Sequence, residues 1–152
     1  MSPRRGWRVV NALLFLMAPT FAQSLTAVPV PSTQAREPAV YTDAQASRGQ
    51  AVYERACASC HRLDLHGDST DEVPPLVDDE FLARWSAGPL RELSDFIRRN
   101  MPGNAARSLS PGEYSDVLAY LLKSNTMPAG TQELTEMTPL DAVALPAAKD
   151  VR

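Results

Sequence analysis

Cysteine and lysine are both scarce in this chain, and so are long apolar runs. The 152 residues include two cysteines, Cys57 and Cys60, so no more than one internal disulfide can form. Lys123 and Lys149 are the only lysines among fifteen basic residues, and the formal net charge is −3 with no basic run. Nucleic-acid binding needs such a basic patch, so we expect no nucleic-acid partner. A chain of this length is expected to form one domain.

The N-terminal residues are typical of a secretory signal peptide. Three arginines precede an apolar run at 9–18, which is too short to span a bilayer. Thr20-Phe21-Ala22 then offers small residues at the positions where a signal peptidase cleaves. We therefore predict cleavage near Ala22, export to the periplasm and no membrane span in the mature chain. An uncleaved N-terminal membrane anchor is the alternative.

The segment Cys57-Ala58-Ser59-Cys60-His61 has the C-x-x-C-H spacing of covalent haem attachment. Each thiol can form a thioether with one of the two vinyl groups of haem, and the histidine that follows becomes the proximal iron ligand. We therefore predict one covalently bound haem c, attached through Cys57 and Cys60, with His61 as an iron ligand. Export agrees with this use, because two free thiols in an oxidising compartment would otherwise pair with each other.

Three other uses of the two cysteines compete with haem attachment: a structural disulfide, a thioredoxin-like redox pair and a zinc site. A thioredoxin-like motif lies beside a βαβ pattern, and no strand pattern occurs nearby. Zinc could recruit Cys57, Cys60, His61 and His66 as four ligands. However, the adjacent Cys60 and His61 are poorly placed around one small tetrahedron, and the ligand spacing of zinc fingers is absent.

Apolar periodicity and capping residues predict four helices. Thr42 is expected to cap the first helix while the Gln45 side chain reaches back in a capping box, and Ser110 with Glu113 forms a second capping box. Gly49 lies inside the first helix, where glycine costs about 1 kcal/mol relative to alanine. Close approach of another helix would explain this glycine. The predicted helices cover about 43–56, 78–85, 90–100 and 111–124.

The order of these elements resembles that of class I cytochromes c. Members of that family run from a first helix through C-x-x-C-H, a proline-containing loop, two middle helices and a methionine to a C-terminal helix that crosses the first. The corresponding segments here are 48–53, 57–61, 74–76, 100–102 and 109–122. The segment from 114 to 134 is similar to bacterial periplasmic members that are paired with quinoprotein or other periplasmic dehydrogenases. Arg62 departs from the family, which commonly has glycine there.

The resemblance covers about residues 42–145 and implies an all-α class I cytochrome c fold, with helices wrapped around one covalent haem. The residues themselves predict a signal peptide at 1–22, a proline-rich exposed leader at 23–41, a cytochrome c domain at 42–130 and a C-terminal tail at 131–152. We expect the tail to be irregular, with its first half lying over the domain. Tyr53 and Tyr120 are expected to pack where the terminal helices cross.

The family pattern makes Met101 the second axial ligand, and the residues agree with this role. Met101 directly follows a predicted helix, and thioether ligation raises the potential of haem iron while blocking an open site. Met127, which follows the last helix, is the alternative methionine. His66 is a second alternative, but it would have to pass round the porphyrin edge within a link of about 17 Å. The carbonyl of Pro74 is expected to accept a hydrogen bond from the ring of the proximal histidine.

A six-coordinate iron changes oxidation state without binding a substrate, so we predict an electron carrier rather than an enzyme. It would pass single electrons in the periplasm from a dehydrogenase to an oxidase or another cytochrome. The alternative is a tightly bound cytochrome subunit of a periplasmic dehydrogenase, whose partner the leader and tail would wrap. A di-haem peroxidase is disfavoured because a second C-x-x-C-H is absent. A four-helix gas-binding cytochrome is disfavoured because its motif lies near the C-terminus.

Overall fold

Five α-helices and one 3-10 helix provide the regular structure of this computed structural model, which describes residues 39–148. The predicted signal peptide and nearly all of the predicted leader lie outside the described residues, as does the end of the tail. From 39 to 148 there is no β-strand, only two isolated bridges, so the predicted all-α fold is confirmed. The helices are α1 (Asp43–Ala56), α2 (Ala58–His61), α3 (Asp78–Trp85), α4 (Leu90–Asn100), α5 (Pro111–Ser124) and the 3-10 helix Leu140–Ala142.

The four predicted helices correspond to α1, α3, α4 and α5, with the expected bounds. The sequence did not predict α2, because a single turn of four residues is too short to show an apolar period. Among the described residues, no helix has the length and apolar character that crossing a bilayer requires.

The two predicted capping boxes have different outcomes. At α5 the box is complete: Ser110 Oγ accepts a hydrogen bond from Glu113 N at 3.3 Å, and Ser110 N donates to Glu113 Oε2 at 2.8 Å. At α1, Thr42 Oγ1 accepts from Gln45 N at 3.1 Å as predicted. The predicted return of the Gln45 side chain is wrong. Its amide is buried and instead exchanges two hydrogen bonds with the backbone of Leu134, at 2.7 and 2.8 Å.

The crossing of α1 and α5 depends on Gly49. A Cβ atom at this position would lie 1.8 Å from the carbonyl oxygen of Asp116, so only hydrogen fits between the two backbones. Close to this contact, the rings of Tyr53 and Tyr120 pack with their centroids 5.3 Å apart. Both sequence predictions for the crossing, the close helix approach at the glycine and the tyrosine pair, are confirmed.

The chain after α5 packs over more of the molecule than the sequence predicted. Its apolar side chains belong to the same buried core as the helices rather than to a partly detached tail; they are Leu134, Leu140, Val143 and Leu145. The backbone of Leu90 also donates to the carbonyl of Val143 at 2.7 Å, which joins the start of α4 to this segment. The cover over the helices therefore continues beyond the first half of the predicted tail, to Leu145.

Candidate haem site

A cavity of about 280 Å³ opens between α2, α3, α4 and α5. It brings together the four residues that the sequence proposed for haem attachment and iron ligation, because Cys57, Cys60, His61 and Met101 all contribute to its lining. Most of the remaining lining is apolar, and it comes from α3, α4 and α5, from the end of α1 and from the loops at 72–76 and 102–104. Representative side chains are Phe81, Trp85, Leu93, Ile97, Val117 and Leu121.

His61 ends α2 and is only 7% exposed. Its Nδ1 atom lies 3.1 Å from the carbonyl oxygen of Pro74. A carbonyl oxygen can only accept, so Nδ1 carries the proton and Nε2 carries the lone pair. Burial lowers the pKa of His61, and this outweighs the opposite effect of the Pro74 hydrogen bond. The ring is therefore held neutral, in the tautomer and protonation state that a metal ligand needs.

The loop that carries Pro74 is fixed by its own backbone. Asp68 and Val73 exchange two hydrogen bonds of 2.9 Å, which close a tight bridge below the histidine. Gly67 directly precedes this bridge with φ +68°, and a Cβ there would be 2.2 Å from the Val73 oxygen and 2.7 Å from the Pro74 oxygen. Glycine is required on both grounds, since other residues rarely adopt this backbone conformation and have a Cβ that would clash. The Pro74 carbonyl thus has a defined direction before any cofactor binds.

Both cysteines are free thiols in this structure, and they differ in environment. Cys57 is half-buried at the junction of α1 and α2, and burial raises its pKa to about 11. Cys60 is exposed at the mouth of the cavity. The zinc alternative finds no support, because no three or more histidine, cysteine or acidic side chains between 39 and 148 are grouped to hold a metal ion.

Met101 directly follows α4, and its backbone is fixed at both polar atoms. Its N–H donates to the carbonyl of Ile97 at 2.9 Å, which closes the last turn of the helix. Its own carbonyl accepts from the hydroxyl of Tyr114 at 2.8 Å. The sequence analysis did not anticipate this tyrosine contact, because a backbone carbonyl partner thirteen residues away leaves no pattern in the sequence.

The two alternative ligands lie outside the cavity. Met127 is 4% exposed in the core, where its carbonyl accepts from the hydroxyl of Tyr41 at 2.6 Å. His66 lies on a separate shallow depression, with Nε2 3.0 Å from a carboxylate oxygen of Asp78 and Nδ1 2.8 Å from the backbone oxygen of Asp64. Neither side chain is among those that line the cavity beside His61.

Arg62 has an unusual backbone conformation for a residue with a side chain, with φ +62° and ψ 163°. Glycine strongly favours this region, which matches the residue that class I cytochromes c commonly have here. The Arg62 carbonyl accepts from the hydroxyl of Tyr53 at 2.5 Å, and its guanidinium pairs with Asp68. The loop therefore keeps a glycine-type geometry although arginine occupies the position.

The residues present fit a covalent haem. Two free thiols at the right spacing lie beside a neutral histidine whose Nε2 is the unprotonated nitrogen, and the walls are largely apolar, as a macrocycle requires. Among the described lining residues, Arg84 is the only arginine or lysine, and its charge suits the carboxylates that haem carries. A sixth-coordinate donor is available in the thioether of Met101, which lines the same cavity.

Comparison with known proteins agrees with this chemistry. The family model described as cytochrome c oxidase, cbb3-type, subunit III matches residues 44–121. The thiosulfate dehydrogenase of Thiomonas intermedia (strain K12) is 36% identical over 86 residues, which are 53% of this chain and 27% of that protein. The chain thus spans little more than a quarter of the length of this curated relative.

A solved structure is similar over most of the chain. This structure is that of the sulfane dehydrogenase SoxCD from Paracoccus pantotrophus, with a TM-score of 0.51 and 25% sequence identity. The match covers 88% of this chain and 68% of the SoxCD chain. The helical fold, the C-x-x-C-H motif and the family match lead to one conclusion. The chain belongs to the c-type cytochrome family described as cytochrome c oxidase, cbb3-type, subunit III, and is a haem electron-transfer protein with one covalently bound haem c.

Proposed function

We propose that this protein is a periplasmic electron carrier in which Cys57 and Cys60 attach the haem, while His61 and Met101 are the axial ligands of its iron. The observation that carries the proposal is the common cavity that all four side chains line. When bound, the haem supplies an iron that changes oxidation state by one electron. If His61 and Met101 both hold the iron, no position would remain for a substrate, so we propose a carrier and not an enzyme.

The residues of the chain divide the work of the site. His61 presents Nε2 because its other ring nitrogen donates to Pro74, and a neutral ring kept in one orientation is a stronger and better-aimed ligand. Met101 offers a thioether, which favours the reduced iron and raises the potential. The apolar walls from α3, α4 and α5 exclude water, so the polar surroundings change little when the charge on the iron changes.

The electron donor that we propose is a periplasmic dehydrogenase acting on a reduced sulfur compound. Support comes from the two relatives, which are named as dehydrogenases of thiosulfate and of sulfane. The acceptor would be an oxidase or another cytochrome. The match to a chain of a sulfane dehydrogenase favours a second arrangement, in which the protein is a stable subunit of such a dehydrogenase. Co-purification from native periplasm separates the two: a free monomer supports the carrier, and a constant complex supports the subunit.

Periplasmic location rests on the sequence of residues 1–22. Export with cleavage predicts a mature protein that begins near Gln23 and appears in the periplasmic fraction. N-terminal sequencing of the purified holoprotein tests this prediction. A protein that stays in the membrane fraction with its first residues intact would instead support the anchor.

Ligation is tested by Met101→Ala, with Met127→Leu as the matched control. Met101→Ala should keep its covalent haem, lose the weak red absorption band of methionine ligation, acquire a lower reduction potential and bind carbon monoxide when reduced. Met127→Leu removes the other methionine thioether near the end of α5 and should leave the band and the potential unchanged. An unchanged potential in Met101→Ala would refute the assignment. Cys57→Ala and Cys60→Ala should each weaken covalent haem retention on denaturing gels.

A further inference from the structure

Asn125, at the C-terminal end of α5, is tied to the loop on the histidine side of the cavity. It is 4% exposed, and its Nδ2 donates to two carbonyl oxygens at 2.9 Å, those of Leu121 and Leu76. Leu121 belongs to α5, so this first bond holds the side chain against its own helix. Leu76 belongs to the loop Pro74-Pro75-Leu76, called the proline loop below, so the second bond holds that loop to α5.

The Leu76 bond is important because the proline loop has few other donors. Pro74 and Pro75 have no N–H, so the backbone before Leu76 cannot donate at these two positions. Leu76 N donates to the carbonyl of Leu65 at 2.7 Å. Together with the bond from Asn125, this fixes both polar backbone atoms of Leu76. The carbonyl two residues earlier, that of Pro74, is the one that accepts from His61 Nδ1.

Tyr114, near the N-terminal end of α5, is hydrogen-bonded to the backbone on the Met101 side of the cavity. The residue is 6% exposed, and its hydroxyl donates to the Met101 carbonyl at 2.8 Å. This bond lies where the chain leaves α4, so it restrains the backbone that carries the Met101 side chain. Tyr114 and Asn125 are eleven residues apart, or about 16 Å along the helix axis.

We propose that Asn125 and Tyr114 are positioning residues, through which α5 sets the loop that orients His61 and the backbone that presents Met101. The inference rests on the ligand assignment made under Proposed function. It gives α5 a role beyond closing the core, because one rigid helix then fixes both faces of the site. A buried hydrogen bond to a backbone carbonyl suits this role, since leaving that carbonyl unpaired is costly and discourages other loop conformations.

The test uses the full-length, haem-loaded protein and two readouts that report on different faces. Exchange of the His61 Nδ1 proton, followed by NMR in the reduced state, reports on the Pro74 contact. Carbon monoxide binding to the reduced protein reports on release of Met101. Asn125→Leu should speed the proton exchange by about tenfold and shift the reduction potential, with carbon monoxide binding unchanged. Tyr114→Phe should raise the rate of carbon monoxide binding by about tenfold, with the proton exchange unchanged.

Tyr41→Phe is the matched control for a loss of general stability. Its hydroxyl also donates to a buried backbone carbonyl, that of Met127, but neither partner lines the cavity. It should change neither readout. If Asn125→Leu does not accumulate as folded protein, Asn125→Ala is measured in its place. A water can then pair with the two carbonyls but does not tie the loop to α5, so the proton exchange should still speed up, by less than about tenfold.

Two results would overturn the proposal: variants at 114 and 125 that alter both readouts equally, or variants that alter them no more than Tyr41→Phe does. Failure of the ligand assignment looks different. Wild-type protein without the red band, or with rapid carbon monoxide binding, would refute Met101 as a ligand before any variant is compared. The effect of Asn125 on the His61 proton would still be measurable in that case.

Discussion

Substitution of Gly49 by alanine tests whether the crossing of α1 and α5 closes the haem site. The added Cβ would lie 1.8 Å from the Asp116 carbonyl oxygen, 2.5 Å from its carbonyl carbon and 3.0 Å from Tyr120 Cβ. The first two atoms are backbone, so no rotamer change can relieve the clash. The two helices would have to move apart by roughly 1.5 Å to restore ordinary contact.

The expected cost follows from two opposing effects. Overpacking of this kind costs about 3 kcal/mol when the backbone itself must move, whereas replacing a helical glycine by alanine returns about 1 kcal/mol. The net loss in the free energy of unfolding should therefore be about 2 kcal/mol or more. For a domain of this size, this corresponds to a fall of roughly 8 °C in the unfolding midpoint.

Guanidinium unfolding of the oxidised holoprotein, followed by circular dichroism, measures this loss. Gly112→Ala is the control, because Gly112 lies in the first turn of α5 and a Cβ there would meet nothing within 4 Å. That variant should be neutral or slightly more stable. Since Tyr53, Val117 and Leu121 from the two helices line the cavity, Gly49→Ala should also weaken the ligation that we propose for Met101. A Gly49→Ala protein as stable as Gly112→Ala would refute the close contact.

Three further changes test the loop below the histidine. Gly67→Ala should lower the free energy of unfolding by about 2 kcal/mol and speed exchange of the histidine Nδ1 proton, because its Cβ would collide with the Pro74 oxygen; equal stability in urea would contradict this. Arg62→Gly should raise stability by about 1 kcal/mol by removing backbone strain, and a less stable protein in the same titration would show that the Asp68 ion pair outweighs the strain. Hydrogen bonds from Thr70, followed by the one from Arg62, hold the pKa of Asp68 well below its usual range. The stabilisation from Asp68 is therefore present above about pH 4 and lost as pH falls further. Asp68→Asn should be less stable at neutral pH and lose less on acidification, and parallel pH profiles for the two proteins would refute this.

Local patterns in the sequence were sufficient for the helices and for the haem motif. The capping box at Ser110 and Glu113 is complete within four residues, so its geometry follows from the sequence alone. The box at Thr42 and Gln45 has the same local pattern, but the glutamine bonds to Leu134, eighty-nine residues away. A long-range partner of this kind competes with the local one, and only the fold decides between them.

The same limit explains why Asn125 and Tyr114 were not predicted at the site. Each of them donates a hydrogen bond to a backbone carbonyl. Every residue has such a carbonyl, so no residue type in the sequence marks the acceptor. Cys57, Cys60 and His61 could be proposed from the sequence for the opposite reason. Side chains that bond to one rigid cofactor need a fixed spacing along the chain, and the C-x-x-C-H motif has that spacing.

The segment after α5 illustrates which interactions hold an irregular stretch in place. Three arginines on the helices pair with acidic residues of this segment: Arg48 with Glu133, Arg91 with Asp141, and Arg98 with Glu136. These pairs are substantially exposed and contribute about 0–1 kcal/mol each. Burial of a leucine or valine side chain contributes about 1.5–3 kcal/mol, and Leu134, Leu140, Val143 and Leu145 are all buried. Apolar burial therefore dominates, and the ion pairs of the segment with α1 and α4 add comparatively little. The spaced apolar residues predicted only that the first half of this segment lies over the domain. They have no helical period and their partners are supplied by helices earlier in the chain, so the full extent of the packing could not be predicted.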